Sequence, residues 1–385
     1  MQLQAENTIL SINLKHIVPE NHFLRRLKES FPWNEWAKPF EKCFKGEKEY
    51  GPKGYPVSAL LKITVLSFLY NLSDKQTEDF VKDSLPARYF VGFGLHQRTP
   101  DETTICRFRG RIANKRFEGK LKDFFNEVIS FAQNKGIEIG KVQIIDSVHT
   151  ESKINTKNDD GLKSAGKTSL KDPDAAWGCK GQEKKVNPQT GEVTKTDKWF
   201  YGYKSHVSYN QKTGLATGVL VSPGNYADIT AAKPLIKDDI KNKIKYSVVT
   251  ADRAYDSIEL HGFCNKHDIF NAIRLKNNRT NHKSKKLNDY WKEHASLPFY
   301  KCALKIRYKI EQYFGVSKLH HGFAKCRYYG EIKYAFQSFL TFGSINLKRM
   351  MKLLEKSPQF KMKLAFNSSD IGFMNNTQSC LLPIT

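Results

Sequence analysis

Long apolar runs are missing from this 385-residue chain, whose mean hydropathy is −0.56. A bilayer-spanning helix needs about 20 consecutive apolar residues, so an integral membrane protein is not expected. The first residues, MQLQAENTILSINLKH, lack the basic, apolar and small-residue succession of a secretory signal, so secretion is not expected either. Paired cysteines are also lacking. The seven that occur (Cys43, Cys106, Cys179, Cys264, Cys302, Cys326, Cys380) are scattered and never spaced as CxxC, which argues against a disulfide framework or a clustered zinc site. A reducing, cytoplasmic setting fits that usage. No internal repeat or low-complexity tract is present, and 39% hydrophobic with 12% aromatic content excludes a disordered chain. Acidic residues are in short supply: 39 against 63 Lys and Arg leave a net charge of +24. Such a balance points to a polyanionic partner, because Lys and Arg gain affinity by displacing counterions condensed on phosphates.

The chain divides by character. Residues 1–135 read as an all-helical N-terminal domain. PVSALLKITVLSFLYN (56–71) has helical length and one dominant apolar face. Ser73 with Gln76 forms a capping box for the next helix, Pro86 opens a third, and PDETT (100–104) begins a fourth. The spacing predicts that this fourth helix carries Arg107, Arg109, Arg111, Lys115, Arg116, Lys120 and Lys122, a face able to lie along a phosphate backbone.

Residues 138–350 read as a mixed α/β domain, with element order β, β, β, α, β, α, β, α. GKVQIIDS is a buried strand closing at Asp146. YGYKSHVSYN, the turn QKTG and LATGVLVSP predict a β-hairpin over 200–222. Helix 228–240, strand 245–252, a helix on SIELHGFCNKHD, strand IFNAIRL and a helix over 303–316 follow. Segment 155–199 is polar and predicts a long insertion or mobile loop. Segment 274–309 is strongly basic and reads as a second polyanion-facing element. No structure is expected for the tail, 355–385.

Asp146 and Asp252 close two strands, and Glu311 sits on the late helix. Three convergent carboxylates make a hard-oxygen site for Mg²⁺ or Mn²⁺, and two such ions suit phosphodiester cleavage and strand transfer. On spacing alone such a trio is weak, since acids at strand ends are common.

The local strings carry more. IIDSVHTESK (144–153), YGYKSHV…TGLATGVLVSPGNYADITAAKPLI (201–236) and VVTADRAYDS (248–257) occur in order. They are followed by Arg307, Glu311 and Lys318 in the spacing R-(3)-E-(6)-K. Together they resemble bacterial insertion-sequence transposases of the DDE type with the Y-R-E-K signature, over about residues 45–345. The signature departs at Leu304, where a Tyr is expected; Tyr300 and Tyr308 stand nearby.

The resemblance implies a ribonuclease H-like catalytic domain with a mixed sheet, behind a helical N-terminal domain that would bind the DNA ends. It implies Asp146, Asp252 and Glu311 as catalytic metal ligands for two Mg²⁺ or Mn²⁺ ions. It implies phosphate contacts from Arg307 and Lys318, with Lys204, Arg253 and the Arg107–Arg116 cations as further DNA contacts. Its partners would be double-stranded DNA (terminal inverted repeats and target), with a homodimer handling two ends. The competing readings are a non-catalytic, domesticated DNA-binding protein and a nuclease that cuts without joining. Among weaker candidates, Asp256 reads as a helix cap, His149 and His206 as strand side chains, and Tyr255 as packing. Trp291 reads as packing rather than a base-stacking platform, and Asn225 with Asp228 as a turn and a helix N-cap.

Overall fold

The computed structural model describes residues 14–43, 54–159, 161–162, 168–186, 189, 193–281 and 283–356. Eight helices come first: α1 (Leu14–Ile17), α2 (Phe23–Ser30), α3 (Trp33–Glu41), α4 (Val57–Leu69), α5 (Asp74–Asp83), α6 (Leu85–Val91), α7 (Glu102–Ile112) and α8 (Glu118–Asn134). The capping signals read from the sequence are in place. Ser73 Oγ accepts from Gln76 N at 3.2 Å while Gln76 Oε1 accepts from Ser73 N at 2.9 Å, Pro86 sits in the first turn of α6, and Asp101 caps α7 through Thr104 N at 2.7 Å.

Two expectations change here. α4 has no solvent face: every residue from Ala59 to Leu69 is buried, because α3, α5, α6 and α7 surround it together with the C-terminal helix. The long fourth helix is two helices. Asn114 ends α7 by donating its amide to the Arg111 carbonyl at 2.6 Å and accepting from Arg116 N at 2.9 Å, local bonds that compete with helix continuation.

The sheet comprises β1 (Val142–Glu151), β2 (Ala176–Val186), β3 (Val193–Asn210), β4 (Ala216–Pro223), β5 (Val248–Ala251) and β6 (Phe270–Ile273). Its core order is β4-β3-β1-β5-β6, with β3 antiparallel to β1 and β4, and β1, β5 and β6 mutually parallel. These strand orders and directions are those of a ribonuclease H-like fold. β2 adds along the first half of β3, so segment 155–199 is not one loop: residues 176–186 and 193–199 form a two-stranded ribbon. β3 serves three neighbours by close approach at Gly202, where a Cβ would lie 2.2 Å from the Thr150 carbonyl oxygen.

Helices α9 (Asp228–Lys241) and α10 (Ile258–Lys266) cover one face of the parallel strands. Helices α11 (Asn277–Thr280), α12 (Lys285–Ser296) and α13 (Pro298–Lys305) wrap the β6 edge around Ala272, Leu275, Trp291 and Tyr300. Trp291 is therefore a packing residue. The expected helix over 303–316 is interrupted at Ile306–Arg307 and resumes as α14 (Tyr308–His321). Helix α15 (Glu331–Lys356) runs buried from Tyr334 to Leu347 between α2, α4 and α8 on one side and β3 and β4 on the other, and its last turns keep Arg349 and Lys352 exposed. One apolar cluster thus joins the N-terminal helices to the sheet, through contacts such as Phe68–Phe336 (5.7 Å) and Phe125–Phe339 (5.9 Å). Of the expected tail, 355–385, Glu355 and Lys356 belong to α15, and the rest lies outside the described residues. The six cysteines among the described residues are free thiols, and no helix among those residues is long and apolar enough to cross a membrane.

Candidate active site

The β1–β5 ladder ends at the pair Ile145↔Ala251, so the next residues, Asp146 and Asp252, emerge side by side. Asp146 does not close β1, as the sequence suggested. The strand continues to Glu151 because β3 pairs its other edge along the whole length. What ends there is the parallel partner. Past Ala251 the chain turns into a short 3₁₀ segment, and Asp252 Oδ1 accepts from Arg253 N at 2.6 Å. Asp146 Oδ1 likewise accepts from Ser147 N at 2.8 Å.

Arg307, at the head of α14, reaches both carboxylates: Nη1 lies 3.4 Å from Asp252 Oδ1 and Nη2 lies 3.5 Å from Asp146 Oδ2. Both separations exceed the usual range for such bonds, and Arg307 Nε is buried without a partner. Burial pushes the Asp146 carboxyl up to about 6. The negative charges of Asp252 and Asp228 add to that rise, against the Ser147 N–H and Arg307.

Two further candidates from the sequence, Glu311 and Lys318, lie on α14. Glu311 lies one turn beyond Arg307, exposed, and among the described residues its carboxylate makes no hydrogen bond or ion pair. Lys318, two further turns along, approaches His149 Nε2 at 3.3 Å. His149 rests on Phe200 (5.0 Å between centroids). Burial, aided by Lys318 and Lys180, lowers its imidazole to about 4, so it is neutral and accepts from the ammonium. This support for Lys318 was not visible in the sequence, where 169 residues separate the two.

Lys204 is engaged: its Nζ donates to Asp228 Oδ1 and to the Tyr226 carbonyl, each at 3.0 Å. Asp228 is not the N-cap of α9. Ala227 holds that position, while Asp228 faces Lys204 and lies 3.7 Å from His206 Nδ1; Asn225 is in the preceding turn, as read. His206 is a buried strand residue bonded to Ser222 Oγ at 2.9 Å, and burial lowers it to about 4. Tyr255 packs beneath the pair with its hydroxyl unpartnered. Arg253 is exposed beside Asp252.

Asp256 does not cap the following helix: Ser257 caps α10, through Leu260 N at 3.1 Å. Tyr300 is fixed in the core by donating to the Ile273 carbonyl at 2.9 Å, which leaves Tyr308, half exposed, as the open tyrosine near Leu304. On the helical side, Arg107, Arg111, Lys115 and Arg116 are exposed. Arg109 is not available to a phosphate. It forks onto Asp74 at 2.6 and 2.7 Å and stacks 4.4 Å over Tyr328.

The donor set at the centre is carboxylate oxygen, which suits a hard divalent cation, and the Arg307 guanidinium between the two aspartates marks a place where positive charge is already accommodated. Asp146 and Asp252 fit such an ion. Among the described residues, no three His, Cys, Asp or Glu side chains are gathered closely enough to ligate one together, so the structure brings together the pair and not the trio.

Residues 12–111 match the family described as Transposase domain (DUF772), and residues 166–347 match the Transposase DDE domain. Asp252, Arg307, Glu311 and Lys318 lie inside the second match, whereas Asp146 falls between the two. Among solved structures, the chain is similar to one described as piggyBac transposase synaptic complex with hairpin DNA, at 11% identity over 90% of this chain and 84% of that one, with a TM-score of 0.34. It is also similar to the Mos1 Strand Transfer Complex (12% identity, 80% of each chain, TM-score 0.20) and to the Mos1 mariner paired end complex with Mn (12%, 83% of this chain and 84% of that one, 0.20). With TM-scores this low, family membership rests on the two domain matches and not on these overlays.

Proposed function

Because the chain belongs to the DDE-type insertion-sequence transposases, we propose that its Asp146–Asp252 centre cuts DNA at the ends of an insertion element and joins the freed 3′-hydroxyls to target DNA. The observation that carries this reading is the adjacency of the two carboxylates at the end of the β1–β5 ladder, with Arg307 between them.

Asp146 and Asp252, with Glu311 from α14, would hold Mg²⁺ or Mn²⁺. Bound there, the ions would activate the attacking oxygen and stabilise the leaving one. The protein's own groups prepare the rest. Arg307 offers a planar fork matched to phosphate oxygens, and its long contacts to the aspartates leave it free to exchange them for a phosphate. Lys318 shares a helix stripe with Arg307 and Glu311, and neutral His149 fixes its ammonium without competing for negative charge. The exposed cations Arg107, Arg111, Lys115, Arg116 and Arg253 would hold flanking backbone. The partners are then double-stranded DNA and, since two ends must be handled together, a second copy of the chain; the compartment is the cytoplasm, on the nucleoid.

The test is incubation of the protein with a duplex carrying the element's own end, with and without Mg²⁺. Metal-dependent cutting followed by joined products supports the reading. Cutting without joining leaves a nuclease, and binding without cutting under Mg²⁺ or Mn²⁺ leaves a DNA-binding protein only.

A further inference from the structure

A second cation-rich feature lies across α14 from the site. On a helix of 3.6 residues per turn, positions 307, 311 and 318 form one stripe, and Lys309, Gln312 and Val316 lie about 120–180° away from it. That far side borders a groove of about 490 Å³ between α14, the β3–β4 turn and α15. Lys212 enters from the turn, Lys309 from α14, and Lys348, Arg349 and Lys352 from α15, and among the described residues no Asp or Glu lines the groove.

Two of these cations are held in place by main-chain acceptors: Lys348 Nζ donates to the Leu69 carbonyl and Arg349 Nε to the Thr213 carbonyl, each at 2.8 Å. Lys212 pairs with Glu138. Among the described residues, Lys309, Lys348, Arg349 and Lys352 form no ion pair. Tyr313, only 6% exposed, lines the same groove, and its hydroxyl has no hydrogen-bond partner. A buried donor without an acceptor is unfavourable, and one such hydroxyl beside four cations that form no ion pair describes a place that lacks an anionic acceptor.

We propose that this groove seats a sugar–phosphate backbone of DNA, separate from the strand engaged at Asp146 and Asp252. The proposal rests on the DNA reading above and adds a second path to it. The cations come from three elements and do not converge on one point, an arrangement that suits successive phosphates along a backbone. Tyr313 would donate to a phosphate oxygen, and Lys309 and Lys352 would release counterions.

The experiment titrates full-length protein onto a fluorescent duplex of arbitrary sequence over a range of salt, for wild type, the Lys309→Ala/Lys352→Ala double variant and Tyr313→Phe. The double variant should lower the slope of log affinity against log salt by about 2 and weaken binding about tenfold at moderate salt. Tyr313→Phe, which keeps the ring and the packing, should weaken binding about threefold and leave the slope unchanged. Melting temperatures should stay at the wild-type value, and either single lysine variant, with a slope change of about 1, replaces the double variant if it fails to fold. A wild-type slope in the lysine variants overturns the proposal. A parallel thermal-shift titration with inorganic pyrophosphate separates the sources: protection lost in the lysine variants while their DNA slope stays wild type makes the groove a small-anion site, and the proposal falls. Wild type that binds no DNA removes the functional reading as well. Wild type that binds and cuts, with variants that bind identically, removes only the groove.

Discussion

Asp252 and Asp256 follow the same short strand four residues apart, yet their surroundings differ in every respect that matters for chemistry. Asp256 is 1% exposed, and its oxygens are filled: His261 Nε2 at 2.9 Å, Lys276 N at 2.8 Å and Arg279 Nε at 3.3 Å. Burial alone would raise its carboxyl, but those bonds and charges hold it below the usual range. Asp252 keeps nearly half its side chain in solvent, accepts one short bond from Arg253 N, and shares a loosely held guanidinium with Asp146. A carboxylate with all its lone pairs occupied in dry surroundings pins the fold. A carboxylate with open lone pairs beside a second one retains capacity for a cation, and Asp146, raised chiefly by burial and further by the charges of Asp252 and Asp228, gains most from a positive charge placed beside it.

The comparison can be broken at several points. The largest effect is expected for Asp146→Asn, which should reduce DNA cleavage at least ~10³-fold while leaving the melting temperature within a few degrees of wild type; a variant that cuts normally places the chemistry elsewhere. Next comes Asp256→Ala, which strands Arg279 and His261 in the interior and should lower unfolding free energy by about 3 kcal/mol in denaturant titrations. An unchanged midpoint would mean that the buried cluster does not hold the fold.

A third buried carboxylate sharpens the contrast. Asp239 accepts from Ser208 Oγ at 2.6 Å, but its other oxygen lacks a partner, and burial pushes it from 3.8 to about 7. A raised folded value means that its contribution is fully present below about pH 4 and is lost as pH rises through about 7. Between those limits stability falls by up to about 1.4 kcal/mol for each tenfold drop in proton concentration. Asp239→Asn should flatten stability between about pH 4 and pH 7; an unchanged profile refutes this source. The smallest effect is expected from His149→Ala, which frees Lys318 and should weaken end binding about threefold, read by competition against a random duplex.

Much of this was legible in the sequence, and what was missed has physical reasons. Alternation in YGYKSHVSYN and the apolar runs ending in Asp146 and Asp252 located β1, the β3–β4 hairpin and β5, because one-sided or two-sided burial writes itself into residue order. β2 left no such trace: described residues 181–183 and 193–199 are exposed, and the ribbon is held by its ladder and not by an apolar face. Arg109 looked like its exposed neighbours Arg107 and Arg111, since the acid that neutralises it lies 35 residues away. The motifs grouped Asp146, Asp252 and Arg307, and the fold brings the Arg307 guanidinium within 3.5 Å of both carboxylates, whereas Glu311 stands open on α14, after a break that no periodicity announces. Asp256, four residues past Asp252, could not be told from a cap because His261 and Arg279 reach it only through the fold.

The most direct test of the account sets Asp252→Asn against Asp256→Asn in one Mg²⁺-dependent cleavage assay, with DNA affinity and melting temperature measured on the same preparations. The account predicts that Asp252→Asn binds and melts like wild type but does not cut, and that Asp256→Asn melts lower yet cuts at temperatures where it is folded. Cleavage by Asp252→Asn at the wild-type rate would contradict it.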